Sequence, residues 1–335
     1  MKVKPETYKR LVAVDKNNKI INISNMVLRK ASSREKQDSN LNKNSICIVC
    51  NFRFLEHRLD WSNKIKAICH PFRNDNIFPS NIKTYLFSES DFCDKLITCV
   101  DHRMKEWDKL KYDFVYFTLI SREGTRSKGL YLLPLINEVS GILKIRGLVI
   151  NYATRETMKN KGTIYHESLN YIKKRISKFG NLDILHENFS TKEVCAIMKS
   201  VRFVLLPSDA DASPRLLVES IVRDKPLVVN SSIYGGWKYI NCNTGSLFSA
   251  PTIEECFNNS YKKDYEYHRS SLINSITEVL SIKENSNISK GFYKEFGFYN
   301  SSKKLANIIN KISGTDYKLV AFKEWKDQLK KVIKK

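Results

Sequence analysis

From residue 114 onward, short apolar runs recur at 114–120 (FVYFTLI), 148–151 (LVIN), 182–185 (LDIL), 201–206 (VRFVLL) and 226–229 (PLVV). Between or after them lie stretches long enough for helices, at 130–143, 165–178, 190–200 and 214–223. Runs this apolar suit strands buried on both faces, and strands alternating with helices predict a parallel sheet covered on each side. The expected fold class is therefore α/β. A chain of 335 residues exceeds one ordinary domain, so two are expected. Glycine divides them: all twelve glycines lie at or after Gly124. Turns in which backbone approaches a ligand closely or takes positive φ need glycine, so a site built on such turns belongs to the second half. The boundaries expected are 1–112, 113–314 and a tail, 315–335.

In the first domain, residues 11–15 and 46–50 read as short buried strands, while 29–44 are polar and read as a loop. In the tail, Ala321, Phe322, Trp325, Leu329, Val332 and Ile333 recur at three- and four-residue steps, with lysines between them. That is the pattern of an amphipathic helix. Two arrangements suit it: peripheral contact with an anionic membrane, or packing back toward the N-terminal domain, which is the expectation.

The formal charge of +22 calls for anionic company: nucleic acid, a membrane surface or anionic small molecules. A solvated basic surface accounts for it equally well. No run of eighteen apolar residues is present, and the first residues, MKVKPETYKR, lack the apolar stretch of a signal peptide, so a cytoplasmic protein is expected. Cys47 and Cys50 form one C-x-x-C within an apolar run, and no second pair follows at zinc-site spacing. Buried, reduced thiols are expected, with no metal.

Three loops carry the residues that could do chemistry. The first, 121–129 (SREGTRSKG), joins a strand to a helix and holds Arg122, Arg126, Lys128 and Gly129, a comfortable place for phosphate. Leu130 and Tyr131 stand where a P-loop needs Lys and Ser/Thr, which excludes an NTPase of that kind. The second is 206–220 (LPSDADASPRLLVES). Ser213 is a suitable N-cap and Pro214 a suitable first helical residue, which leaves amides near Arg215 and Leu216 to meet an anion. Asp211 in the turn and Glu219 inside the helix either accept hydrogen bonds from sugar hydroxyls or serve as turn cap and surface residue. The third, 231–239, follows a strand and carries Gly235 and Gly236. Asp209 and Asp211 form an Asp-x-Asp, a spacing that metal-dependent transferases also use; its place at a helix start argues against that use.

Taken in order, these pieces resemble the C-terminal domain of retaining glycosyltransferases of family 4 (group 1). LLPSDADASPRLLVES at 205–220 is similar to that family's E-x7-E block, and PLVVNSSIYGG at 226–236 to its diglycine loop. NTGSLF at 243–248 is similar to its TGxLf turn, and SREGTRSKGL at 121–130 to its phosphate loop. GNLDILHENFSTKEVCAIMKS at 180–200 is similar to the strand and helix passing the nucleobase. The likeness covers roughly residues 114–312. It implies a GT-B fold of two Rossmann-like domains with a cleft between them. It also implies a nucleotide diphosphate sugar of the UDP or GDP type as donor, a glycan or other hydroxyl acceptor, retention of anomeric configuration and no cofactor or metal.

The resemblance implies roles for individual residues too. Glu219 matches the acid that contacts the ribose, and Asp211 the acid beside the donor sugar, here shorter than glutamate by a methylene. Lys128 matches the pyrophosphate lysine, with Arg122 or Arg126 as its companion and Gly129 beside it. Ser213, Pro214, Arg215 and Leu216 match the segment whose amides hold the donor. Gly235 and Gly236 match the diglycine, and His186, Glu187, Asn188 and Phe189 the nucleobase region. The family's N-terminal domain presents a glycine-rich acceptor loop that this chain lacks; His57, His70 and His102 are the candidates there for a histidine near the sugar. Two competing readings are a GT-B sugar-nucleotide epimerase and a basic nucleic-acid-binding protein with a decayed site. With Glu219, Lys128 and the diglycine in place, no nucleic-acid partner is expected.

Overall fold

The computed structural model describes residues 11–24, 26–30, 45–49, 65–73, 77–94, 111–118, 128–151, 180–186, 189–209, 211, 214–257, 264–283 and 287–335. They fall into two compact units: Met1–Ile97 with Gly291–Lys335, and Thr98–Lys290. The predicted helix at 165–178 lies outside the described residues.

In the first unit, β1 (Leu11–Val14) and β2 (Ile20–Asn22) form a hairpin. Asp15 closes it by accepting the amides of Asn17 and Lys19 at 2.9 Å each, and Asn18 takes the left-handed conformation at φ 64°. Asparagine tolerates that conformation better than most residues. A separate parallel sheet holds β3 (Val27–Lys30), β4 (Ser45–Val49), β5 (Ile65–His70) and β6 (Lys83–Leu86), in that spatial order with β6 at one edge. Residues 29 and 30, expected in a loop, therefore belong to β3, because Val27 and Leu28 begin a strand whose polar half still pairs with β4.

The second unit holds β7 (Phe114–Thr118), β8 (Gly147–Asn151), β9 (Leu182–His186), β10 (Phe203–Leu206), β11 (Leu227–Asn230) and β12 (Gly245–Phe248). All are parallel, in spatial order β12-β11-β10-β7-β8-β9. β7, β10 and β11 are buried throughout, as strands covered on both faces must be. The helix Leu133–Leu143 seals one face with Leu133, Leu135, Ile136 and Val139. The helix Thr191–Ser200 starts at a capping box in which Ser190 and Glu193 satisfy each other's backbone amides. Those bonds hold the exposed Glu193 carboxyl below its ordinary range.

The tail is not one helix. Leu319–Phe322 form β13, antiparallel to β1, and only Lys326–Ile333 are helical after a short 3-10 turn. Four consecutive buried residues satisfy a strand as well as one turn of helix, and β1 supplies the partner that decides between them. The division of the chain also differs from the sequence boundaries. The helix Gly297–Ser313 sits in the first unit because Phe298, Leu305, Ala306 and Ile309 share its core with β1, β4, β5 and β13. Cys47, Cys69, Cys93, Cys195 and Cys256 are free and buried, whereas Cys242 is exposed; Cys50 lies outside the described residues. Burial pushes the Cys69 thiol far above its usual value. No helix among the described residues is long and apolar enough to cross a membrane.

Candidate functional site

The spatial order of the second sheet, read from β9, is third, second, first, fourth, fifth, sixth strand of its unit. In such doubly wound sheets the connections leave in opposite directions on either side of the first and fourth strands, here β7 and β10. The crevice opened at their carboxyl ends is where ligands bind. Phe114 and Val115 of β7 pair with Phe203 and Val204 of β10. The loops emerging there are those of Lys128 and Asp211, with the loop after β11 alongside.

These loops are tied to one another. Lys128 Nζ lies 2.6 Å from Asp211 Oδ2, with the two side chains 38% and 24% exposed. Gly129 has φ 68°, and a Cβ there would stand 2.3 Å from the carbonyl oxygen of Pro207. The glycine is thus required by protein backbone as well as by conformation. Tyr131 reaches over to donate to Asp209 Oδ2 at 3.3 Å, and its hydroxyl also lies 3.2 Å from the carbonyl of Pro251. Burial first, and the Asp209 carboxylate next, push the Tyr131 hydroxyl far above the usual tyrosine range. Tyr116, on β7 and fully buried, donates to the carbonyl of Lys128 at 2.5 Å.

The third loop joins the second through backbone. Tyr234 N donates to Asp209 O at 3.1 Å and Gly235 N to Asp211 O at 3.0 Å. Gly236 has φ 84°, and a Cβ on it would meet Pro214 Cγ at 2.5 Å. Asn230, the last residue of β11, donates to Pro207 O at 3.1 Å. Lys128, Gly129, Asp211, Pro214, Gly235 and Gly236 therefore occupy one cluster.

The helix start differs from the sequence expectation. Pro214 is the N-cap, with ψ 95°, and the helix runs Arg215–Ile221. An extended ψ at Pro214 keeps it outside the helical turn, so it is not the first helical residue. Arg215, 74% exposed, turns its Nε to Glu219 Oε1 at 2.7 Å. Glu219 is 4% exposed, which removes the reading of it as a surface residue. Leu216 is half-buried and its carbonyl accepts from Ser220 at 2.8 Å. Ser213, Arg122, Arg126, Glu187 and Asn188 lie outside the described residues. His186 ends β9, at the sheet edge, with β8 between it and β7, roughly 10 Å of sheet. Phe189 follows, half-buried, just before the Ser190 cap. The structure thus brings Lys128, Gly129, Asp211, Pro214, Gly235 and Gly236 together and leaves His186 two strands away. Of the candidate histidines, His70 ends β5, buried against Phe78 and Phe72 at ring distances of 4.7 and 6.0 Å. His57 and His102 lie outside the described residues.

No protein-family model matches the chain, and no curated protein matches it in sequence. Solved structures do match in fold. The Anabaena Alr3699/HepE structure in complex with UDP superposes with a TM-score of 0.53 at 12% identity, over 80% of this chain and 72% of that one. An E. coli trehalose-6-phosphate structure bound with UDP-2-fluoro glucose gives 0.55 at 13%, over 80% and 68%. AviGT4, a glycosyltransferase involved in avilamycin A biosynthesis, gives 0.50 at 10%, over 88% and 76%. The fold is GT-B.

Within the GT-B frame, two participants in the cluster escaped the sequence reading. Tyr131 looked like core, because it sits in the apolar run LYLLPLI. Asp209 was visible as half of an Asp-x-Asp, but nothing local showed that its carboxylate is claimed by Tyr131 and that of Asp211 by Lys128. Both halves of the pair clamp the same loop. An acidic doublet facing a tyrosine and a lysine from the loop of the neighbouring strand carries no signature in a single stretch of sequence.

Proposed function

We propose that the chain is a retaining glycosyltransferase of the family 4 kind, moving a sugar from a nucleotide diphosphate sugar of the UDP or GDP type to a hydroxyl of a glycan acceptor. The observation that carries this reading is the Lys128–Asp211 contact, which unites the basic loop after β7 with the acidic loop after β10 at the switch point of the sheet. An ammonium group has three protons to give, so Lys128 can hold Asp211 and a phosphate oxygen together. In the reaction proposed, the bond between the anomeric carbon and the diphosphate oxygen breaks and its electron pair leaves with the nucleoside diphosphate. The acceptor oxygen bonds to the anomeric carbon on the same face, and its proton passes to the departing phosphate. Negative charge builds on the leaving group, so a fixed cation aimed there lowers the barrier. A single well-placed donor is worth about 3 kcal/mol in comparable oxyanion sites.

Glu219, which is buried and paired with Arg215, accepts from a ribose hydroxyl in this reading. Asp211 takes the sugar side. Thermal denaturation against a panel of UDP, GDP and their sugars tests the proposal. A ligand at a hundred times its Kd adds about 2.7 kcal/mol of stability. Glu219→Ala is expected to erase that gain while the folded baseline survives. If no nucleotide stabilises the protein while polynucleotide binds it at moderate salt, the basic surface serves nucleic acid and the transferase reading is lost.

A further inference from the structure

The first unit carries a second place suited to an anion. Between the edge strand β6 and the helix Gly297–Ser313 lies an open groove of about 360 Å³. Its polar wall comes from Lys303, Lys304, Asn307 and Lys311, and its apolar floor from Tyr85 and Ile308. Residues 303, 307 and 311 are four apart and 304 is three before 307, which places all of them on one broad face of the helix. The opposite face, with Leu305, Ala306 and Ile309, is sealed in the core. The lysine face is therefore not what holds the helix in place.

Among the described residues, neither Lys303 nor Lys311 has a hydrogen-bond or ion-pair partner. Lys304 donates only to the carbonyl of Leu86, a neutral acceptor, at 3.3 Å. Among the described residues, no carboxylate lines the groove. Lys128, Arg146, Arg202, Arg215 and Arg269, by contrast, each meet an acid. Three ammonium groups sharing one concavity repel one another over distances that physiological salt, with a screening length of about 8 Å, does not fully mask. Their charge calls for an anion carrying more than one negative charge, and lysine meets phosphate as a point charge. A volume of this size accepts a small molecule, and the Tyr85 ring with Ile308 offers its carbon skeleton an apolar floor.

We infer that the groove formed by Tyr85, Lys303, Lys304, Asn307, Ile308 and Lys311 binds a phosphate ester, supplied either by a soluble phosphorylated compound or by the headgroup of an anionic lipid. This site is separate in sequence and in unit from the Lys128 cluster and stands whether or not that cluster takes a nucleotide sugar.

The test uses the full chain, with Lys128→Ala in every sample so that phosphate at the other cluster does not contribute. Calorimetry with inorganic pyrophosphate is one arm, and co-sedimentation with phosphatidylcholine vesicles with and without phosphatidic acid is the other. The triple variant Lys303→Gln/Lys304→Gln/Lys311→Gln is compared with Lys66→Gln/Lys283→Gln/Lys290→Gln, which removes the same charge from scattered exposed positions. The groove variant is expected to lose about tenfold or more in affinity, the sum of three exposed charge contacts, and the scattered variant far less. Asn307→Asp, which keeps all three lysines and the helix packing, is expected to weaken binding too. Binding of pyrophosphate identifies a soluble ligand, and binding of phosphatidic acid vesicles alone identifies a lipid headgroup; either supports the site. Equal losses in both triple variants, or no binding in either arm, overturns it.

Discussion

In the second unit, the strands of the sheet come from one continuous stretch of chain, β7 to β12, and all but the edge strand β12 are apolar runs that announce themselves. In the first unit, β1 finds its partner in β13, near the other end of the sequence, and the core is completed by a helix that begins at Gly297. The first arrangement rests on local pattern and short crossovers. The second depends on contacts whose chain separation makes them costly to form and invisible to any window of sequence. The candidate site for the sugar donor belongs to the locally legible unit, and the lysine groove to the other.

The largest effect expected from breaking this contrast is at Phe322. Its ring is 3% exposed and packs edge-on to Phe92 and Trp325 at centroid distances of 5.3 and 5.1 Å. Phe322→Ala should cost about 3–5 kcal/mol, confined to the first unit. Calorimetry should then resolve two transitions, with the response to nucleotide kept by the second. A single transition lowered as a whole would show the units to be one cooperative body.

Next in size is Gly129→Ala, which forces positive φ on an alanine and drives its Cβ against Pro207 O. The expected cost is about 1–3 kcal/mol, measured by urea unfolding, with loss of nucleotide stabilisation. Gly291→Ala is the matched control, since nothing lies within 4 Å of its Cβ position and the residue is helical. There a stabilisation of up to about 1 kcal/mol is expected.

Tyr131→Phe sharpens the comparison within the site itself. It removes the donor to Asp209 while keeping the ring, so about 1 kcal/mol of stability should go. The nucleotide response should weaken more than that figure requires if the clamp positions Lys128. An unchanged response would limit Tyr131 to packing.

The smallest effect lies at alkaline pH. Tyr112 donates to Asp183 at 2.7 Å, and burial together with that bond pushes its hydroxyl from 10.0 to about 12. Between those values the unfolded chain has released a proton that the folded chain retains, so stability is full below pH 10 and declines toward pH 12. Tyr112→Phe should flatten that part of the curve.

How much was readable follows the same line. β7, β8, β9, β10 and β11 stand where apolar runs placed them, because strands buried on both faces are nearly uniform in composition. Lys128, Asp211 and Gly236 fall together because each lies in the loop that follows a strand, and parallel strands bring those loops to one edge. Leu319–Phe322 was misread as helix because its period is ambiguous until β1 is beside it. The Gly245–Phe248 stretch, noticed as a turn, is the edge strand β12, and its glycine lies against Leu227 backbone, where a Cβ would meet the carbonyl at 2.2 Å. Tyr131 and Asp209 stayed hidden because one looks apolar and the other merely acidic until they are juxtaposed.

The pairing of β1 with β13 also sets a timetable. A ribosome that has translated through residue 290 has released everything the second unit's sheet requires, while β1, already paired with β2, still lacks β13 on its other side. Domains usually mature in the order of synthesis; here the unit begun earlier in this sequence is finished later. Until Leu319–Phe322 leaves the exit tunnel, one edge of β1 stays bare and open to capture by chaperones or by another nascent chain.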